Sequence, residues 1–153
     1  MITIRPAEAK DWKELAVLRT LLWPDGPYEE HLSELETGPS AWGQPDFPVA
    51  WLVAEDDSGA MIGFLEVGLR SHADGCDTRR PVGYVEGWFV REEHRRKGIG
   101  AALLRAAEDW ARAHGCREMA SDALIDNTTS ETAHRAMGFE IVDRCTHLRK
   151  PLQ

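Results

Sequence analysis

Between a β-forming run, Val82 to Val90, and an amphipathic run with apolar side chains at Ile99, Ala102, Leu103, Ala106 and Trp110, the chain places Arg95-Arg96-Lys97-Gly98-Ile99-Gly100. The first run is rich in β-branched and aromatic residues, and the second has the 3.6-residue period of a helix. The backbone must therefore turn from strand to helix across a basic, glycine-bearing segment. The first N–H groups of a helix have no partner within it, and glycine lets an anion approach them closely. Cations at this end oppose the helix macrodipole, a conflict that a bound anion relieves. The alternative is a solvated basic helix start. No GxxxxGK[ST] is present, which excludes a Walker turn, and the absence of GxGxxG disfavours a dinucleotide fold.

The rest of the chain supplies the layers around this unit. Ile2-Thr3-Ile4 reads as a short strand, and Asp11 is placed to cap a helix carrying Trp12, Leu15, Arg19 and Leu22 at helical spacing. Pro24 to Pro27 breaks it, a second helix is expected over Tyr28 to Glu36, and a loop over Gly38 to Pro48. Val49 to Glu55 and Met61 to Leu69 read as a hairpin joined by Asp56-Asp57-Ser58-Gly59. After the basic turn and its helix, which Gly115 ends, come a short strand over Glu118 to Asp122 and a helix from Thr128 to Met137 stopped by Gly138. A final strand is expected over Phe139 to Leu148. That order predicts an α+β domain, an α/β three-layer arrangement, in one unit spanning residues 1–153.

A hydrophobic share of 42 % in 153 residues is enough for one self-sufficient core. Cys76, Cys116 and Cys145 are odd in number and lack metal-site spacing, so neither a disulfide framework nor a zinc site is expected. The first residues lack a basic-then-apolar leader, and no apolar run approaches the ~20 residues that span a bilayer, so a cytoplasmic protein is expected. A net charge of −8 disfavours nucleic acid and anionic membrane as partners and favours cationic ones.

The strand, turn and helix over Tyr84 to Trp110 resemble the acetyl-CoA motif of GNAT acetyltransferases, and Asn127 through His134 to Gly138-Phe139 is similar to that family's next motif. Leu22-Trp23-Pro24, Tyr84 to Val90 and Cys116 to Asp122 resemble, more narrowly, the aminoglycoside 6'-N-acetyltransferase branch. The resemblance implies a mixed, mostly antiparallel sheet flanked by helices, with a splayed strand pair receiving the acetyl donor. It implies that backbone groups of Phe89, Val90, Arg95, Arg96, Lys97, Gly98, Ile99, Gly100 and Ala101 hold acetyl-CoA as co-substrate, with Asn127 binding its other arm and no metal involved. It places Trp23, Glu86, Asp122 and Glu140 in the acceptor pocket, with Tyr28 and His31 nearby, and the His72 to Cys76 loop at its border. Similar enzymes often form dimers through C-terminal strands, so a homodimer is expected.

Acetylating an amine at neutral pH requires taking a proton from an ammonium, for which lysine's ~10.4 is the reference. Glu86 is read as lying between Tyr84 and Trp88 on one strand face, where an unpaired carboxylate is costly; its structural alternative is a salt bridge, for instance to the Arg79-Arg80 loop. Asp122, at the end of the next strand, is the first choice for the base, the alternative being a turn-closing aspartate. His134 stands where many GNAT enzymes have a tyrosine that protonates the departing thiolate; it is either that donor or a packed helix residue. The expected reaction is direct transfer to a small polycationic amine, with an aminoglycoside leading. A polyamine, another metabolite amine, a protein N-terminus, or coenzyme A binding without turnover remain the alternatives.

Overall fold

The computed structural model describes residues 1–38 and 47–153. Five strands form one sheet in chain order: β1 (Thr3–Pro6), β2 (Val49–Glu55), β3 (Met61–Arg70), β4 (Val82–Val90) and β5 (Met119–Ser121). The first four are antiparallel and β5 runs parallel to β4. Helices α1 (Trp12–Leu22) and α2 (Tyr28–Thr37) precede β2, α3 (Ile99–Ala113) joins β4 to β5, and α4 (Thr128–Ala136) follows β5. The expected loop over Gly38 to Pro48 lies outside the described residues except at its ends.

Two apolar clusters make the three layers. On one face of the sheet Leu15, Ala16 and Leu18 of α1 and Leu35 of α2 pack on Trp51, Val53, Met61 and Phe64. On the other, Ile99, Leu103, Leu104 and Ala107 of α3 pack on Leu52, Leu65, Val67 and Val85. Leu103 and Leu104 are fully buried, each contributing about 1.5–3 kcal/mol. Central β3, buried on both faces along nearly all its length, reads as a continuous apolar run for that reason. The β2–β3 hairpin turns as expected: Gly59 takes φ 84°, and Asp56 Oδ1 accepts the N–H groups of Ser58 and Ala60.

Two expectations are corrected. Asp11 precedes α1, but its side chain caps nothing in that helix. It accepts from both Nη atoms of Arg5 at 2.7 and 2.9 Å and from the Glu8 N–H at 2.7 Å, because the guanidinium from β1 outcompetes an exposed helix end. The final strand expected over Phe139 to Leu148 is absent. Residues 140–153 are exposed and form no ladder, since a strand exists only against a partner and this segment pairs with none among the described residues.

The β3–β4 ladder contains a bulge. Glu66 opposes Gly87 and Val67 opposes Val85, leaving Glu86 as one extra residue on β4. The side-chain alternation therefore changes phase there. Glu86 and Gly87 both face α1 and α2, whereas Trp88 turns to the α3 side and donates its indole N–H to Gly100 O at 3.1 Å. Glu86 thus does not share a face with Trp88, as a regular strand would require. Gly87 is needed because a Cβ there would lie 2.6 Å from Trp23 Cη2.

Gly87→Ala is expected to destabilise the protein by about 1–3 kcal/mol in denaturant unfolding, by forcing Trp23 and the end of α1 off the sheet. Asp11→Asn is expected to cost about 1.5–3 kcal/mol at pH 7. Arg5 holds the Asp11 carboxyl below its usual 3.8, so the stabilisation is complete above that pH and is lost as pH falls through the lowered value. Melting curves of the two chains should differ in full above pH 3.8 and converge only once the pH has fallen below the lowered value.

Candidate active site

The bulge opens a cavity of about 410 Å³ between the sheet and the α1–α2 pair. Its walls carry three carboxylates, Glu34, Glu66 and Glu86, against one guanidinium, Arg19, with the Trp23 ring at one side. Glu66 stands on β3 in an otherwise apolar strand and is 1 % exposed. It accepts from Arg19 Nη1 and from the Trp51 indole N–H. Burial pushes its carboxyl up to about 7 against the pull of those two donors. Arg19 also reaches Glu34, lies 5.1 Å from the Trp23 ring centroid, and donates Nε–H to His31 Nδ1 at 3.4 Å. With Nδ1 accepting, His31 carries its proton on Nε2 and gives it to Trp23 O at 3.1 Å. His31, 5 % exposed, is therefore a strut beneath Trp23 as well as part of the cavity wall.

A second cluster lies along the same sheet face. Tyr84 donates its hydroxyl to Asp122 Oδ2 at 2.6 Å. Burial, and then this bond, push the Tyr84 phenol above its usual 10, so it stays a donor at neutral pH. Arg70 grips both Glu86 oxygens at 2.9 and 2.8 Å and lies over the Tyr84 ring, 3.5 Å from its centroid. The arginine that satisfies Glu86 therefore comes from the end of β3; Arg79 instead pairs with Asp77. Asp122 is exposed, one residue beyond β5.

A second cleft lies between β4 and β5. These strands pair only at Gly83, Tyr84 and Val85, after which they diverge. Arg91 N–H donates to Ile62 O, which makes Val90–Gly63 a pair whose backbone groups point away from each other. Val90 thus aims its N–H and C=O into the gap, while the adjacent Phe89 spends its own on β3. Arg95 folds back, its Nε–H held by Val90 O at 2.8 Å, and so ties the turn to the strand end. Arg96 at φ 62° and Gly98 at φ 81° then lead into α3, whose first N–H groups open on this turn. No atom lies within 4 Å of where a Gly98 Cβ would stand, and Arg96, Lys97 and Gly98 are exposed. Outward N–H groups, two exposed cations and open space suit a pyrophosphate.

Asn127 closes the far side by capping α4: its Oδ1 accepts the Ser130 N–H at 3.1 Å, which leaves its amide NH2 for another acceptor. His134 packs edge-on to Trp88 and Phe139, each at 5.2 Å between centroids. Its Nδ1 lies 2.7 Å from Ser130 O and its Nε2 2.8 Å from Ser121 Oγ. A carbonyl only accepts, so Nδ1 carries a proton, and Nε2 shares its hydrogen bond with the Ser121 hydroxyl.

Trp23, His31 and Glu86 are thus brought together, and Asp122 joins them through Tyr84 and Arg70. Tyr28 instead packs on the α1–α2 core, and Glu140 stands exposed at the start of the C-terminal tail. In the His72 to Cys76 loop, Gly75 lies against Val142 of that tail rather than against the cavity. Arg19, Glu34, Glu66, Arg70 and Tyr84 went unassigned in the sequence. One signal was visible for Glu66: a charge in the middle of Met-Ile-Gly-Phe-Leu-Glu-Val-Gly-Leu, where an unpaired carboxylate is untenable. Among the described residues no cluster of three or more His, Cys, Asp or Glu side chains could hold a metal ion, and no helix is long and apolar enough to cross a membrane.

Comparison with known proteins agrees with this geometry. The family model for the acetyltransferase (GNAT) family matches residues 15–139. An aminoglycoside N(6')-acetyltransferase type 1 from Klebsiella aerogenes is 42 % identical over 149 residues, covering 97 % of this chain and 96 % of that protein. The solved structure of AAC(6')-Iy in complex with a bisubstrate analogue, CoA-S-monomethyl-acetylneamine, superposes with a TM-score of 0.86 at 35 % identity, covering 99 % of both chains. Aminoglycoside 6'-N-acetyltransferase AAC(6')-Ih from Acinetobacter baumannii gives 0.85 at 33 % identity and full coverage of both. The chain belongs to the GNAT family of acetyltransferases and is similar along nearly its whole length to the aminoglycoside N(6')-acetyltransferase branch.

Proposed function

We propose that this protein is an acetyl-CoA-dependent aminoglycoside 6'-N-acetyltransferase, transferring acetyl to a primary amine of a polycationic antibiotic and so conferring resistance. The observation that carries this reading is the position of β4 between two unlike clefts. One flank presents the carboxylate-lined face with Trp23, Glu86 and Asp122; the other presents Val90 and the N-terminus of α3. An ammonium is attracted to the first and a pyrophosphate to the second. The thioester carbonyl comes with acetyl-CoA.

The acceptor amine arrives protonated and gives one proton toward Asp122 through water, with Tyr84 holding the other carboxylate oxygen. Its lone pair forms the N–C bond, and the carbonyl oxygen, as it gains charge, takes a hydrogen bond from the Val90 N–H. As the C–S bond breaks, the nitrogen gives its second proton to water and the sulfur takes one from water, leaving the amide, the free thiol and one proton released overall. His134 has its Nδ1–H on Ser130 O and its Nε2 on Ser121, so we read it as holding Ser121, Trp88 and α4 together. Cys76, Cys116 and Cys145 are unpaired thiols outside both clefts, which suits direct transfer and a cytoplasmic setting.

The assembly we infer is a homodimer. The C-terminal tail exposes Val142 at 58 % and Leu148 and Leu152 at 90 % each, while β5 lies at the edge of the sheet. A second copy that pairs with the tail would cover both the unpaired edge and those apolar side chains.

Thiol release from acetyl-CoA should be rapid with a 6'-amino aminoglycoside and negligible with its 6'-hydroxy counterpart, spermidine or a short peptide. Asp122→Asn should reduce it about a hundredfold. Turnover confined to spermidine or peptide would sink the antibiotic reading, and tight coenzyme A binding without turnover would favour a regulatory module. In sedimentation, the full chain should run as a dimer and a chain ending at Phe139 as a monomer; equal mass for the two would overturn the tail-mediated assembly.

A further inference from the structure

The two carboxylates assigned to the acceptor are not waiting empty-handed. Arg70 binds Glu86 through Nε and Nη2, one donor to each oxygen, and spreads its guanidinium on the Tyr84 ring, whose hydroxyl holds Asp122. A planar cation from the protein itself thus lies where an acceptor ammonium would find both a carboxylate and an aromatic face. The pair is accessible: the Arg70 side chain is 39 % exposed and that of Glu86 23 %. It is a half-buried, two-pronged pair, open to water and salt on one side and so exchangeable for another cation on the same carboxylate. The neighbouring Arg19–Glu66 pair is the opposite case, at 3 % and 2 % exposure, and is fixed by Trp51.

We propose that Arg70 is a resident stand-in for the acceptor's ammonium, holding Glu86 in the free enzyme and leaving it when a polycation binds, and that it thereby determines how many charges an acceptor must carry. This rests on the acetyltransferase reading above. A monoamine that displaces Arg70 exchanges one cation on Glu86 for another and gains little. A polycation makes the same exchange and also engages the field of Glu34, Glu66 and Asp122, none of which Arg70 contacts directly. Displacement bares the Tyr84 ring to the acceptor and returns the guanidinium to water, where it is well solvated. Discrimination against singly charged amines then follows from competition with an internal cation rather than from the shape of the cavity.

The test is Arg70→Gln, with Arg70→Lys and Arg70→Met beside it, assayed at saturating acetyl-CoA against a 6'-amino aminoglycoside and against a primary monoamine such as cyclohexylmethylamine. Removing the cation is expected to lower KM for the aminoglycoside and for the monoamine by the same several-fold factor, up to ~tenfold, which brings the weakly bound monoamine into the measurable range, with kcat within about twofold. Arg70→Lys keeps the charge but not the two-pronged grip and should fall between wild type and Arg70→Gln. Millimolar methylguanidine should raise KM of Arg70→Gln back toward the wild-type value, in competition with the acceptor, and leave the wild type unchanged. A higher or unaltered KM in both Arg70→Gln and Arg70→Met, or activation of either by methylguanidine, would overturn the proposal and make Arg70 an orienting partner of Glu86. Calorimetric titration of the aminoglycoside onto coenzyme-A-bound protein reads the same change as Kd. A fall in Kd on removing Arg70 in a protein that turns over no amine would thus sustain the stand-in while the enzymatic reading failed.

Discussion

One inserted residue organises this molecule. Because Glu86 has no opposite number on β3, β4 changes phase at its middle, and each half of the strand faces a different cleft. Before the bulge, Tyr84 and Glu86 look toward α1 and α2. After it, Trp88 looks toward α3 and α4, and Val90 turns its N–H into the gap left by β5. In a regular strand Trp88 would be driven into the space that Trp23 and the carboxylates occupy. The bulge also puts Gly87, which has no side chain, where the Trp23 ring comes down on the backbone, so the end of α1 seats directly on the strand that divides the two clefts.

The two faces of the sheet are built on different physics. Against α3 the packing is apolar, with Leu52, Leu65, Val67, Ile99, Leu103 and Leu104 in one cluster, and it holds the helix whose N-terminus opens toward the cleft. Against α1 and α2 the apolar cluster gives way to Arg19, Glu66, Glu34, His31 and Trp51 as it nears β4. Burying such a pair is a doubtful route to stability, since desolvation offsets most of the attraction. It does give both helices one fixed point of attachment to β3, and it leaves negative charge at the cavity floor. A purely apolar interface would provide neither.

The chain by itself leaves one edge unfinished. β5 is three residues long, and the tail beyond α4 carries apolar side chains into solvent. Both features lie beside elements that matter for the site, since Ser121 ends β5 and holds His134, and Asp122 follows immediately. Burying this edge in an assembly would therefore also stiffen the ground beneath Asp122.

Local chemistry, read in order, was enough to identify the strand, turn and helix around Gly98, the β2–β3 hairpin and the glycine stops at Gly115 and Gly138. Each depends on residues within a few positions of one another. The placement of Asp122 at a strand end was legible for the same reason. Hidden from the sequence was everything that required a partner from another element. Asp11 looked like a cap until Arg5 from β1 claimed it, Glu86 took Arg70 rather than Arg79 or Arg80, and Glu66 found Arg19. Phe139 to Leu148 carries strand-like periodicity, but a strand is a relation between two segments and no partner for it stands among the described residues. The bulge is the same kind of fact, because register is fixed by how β4 meets β3 and cannot be counted along β4 alone. Sequence determined which segments could be helix, turn or strand and where an anion would bind; only tertiary structure decided which way Glu86, Trp88 and Val90 face, because facing is set by pairing across the sheet.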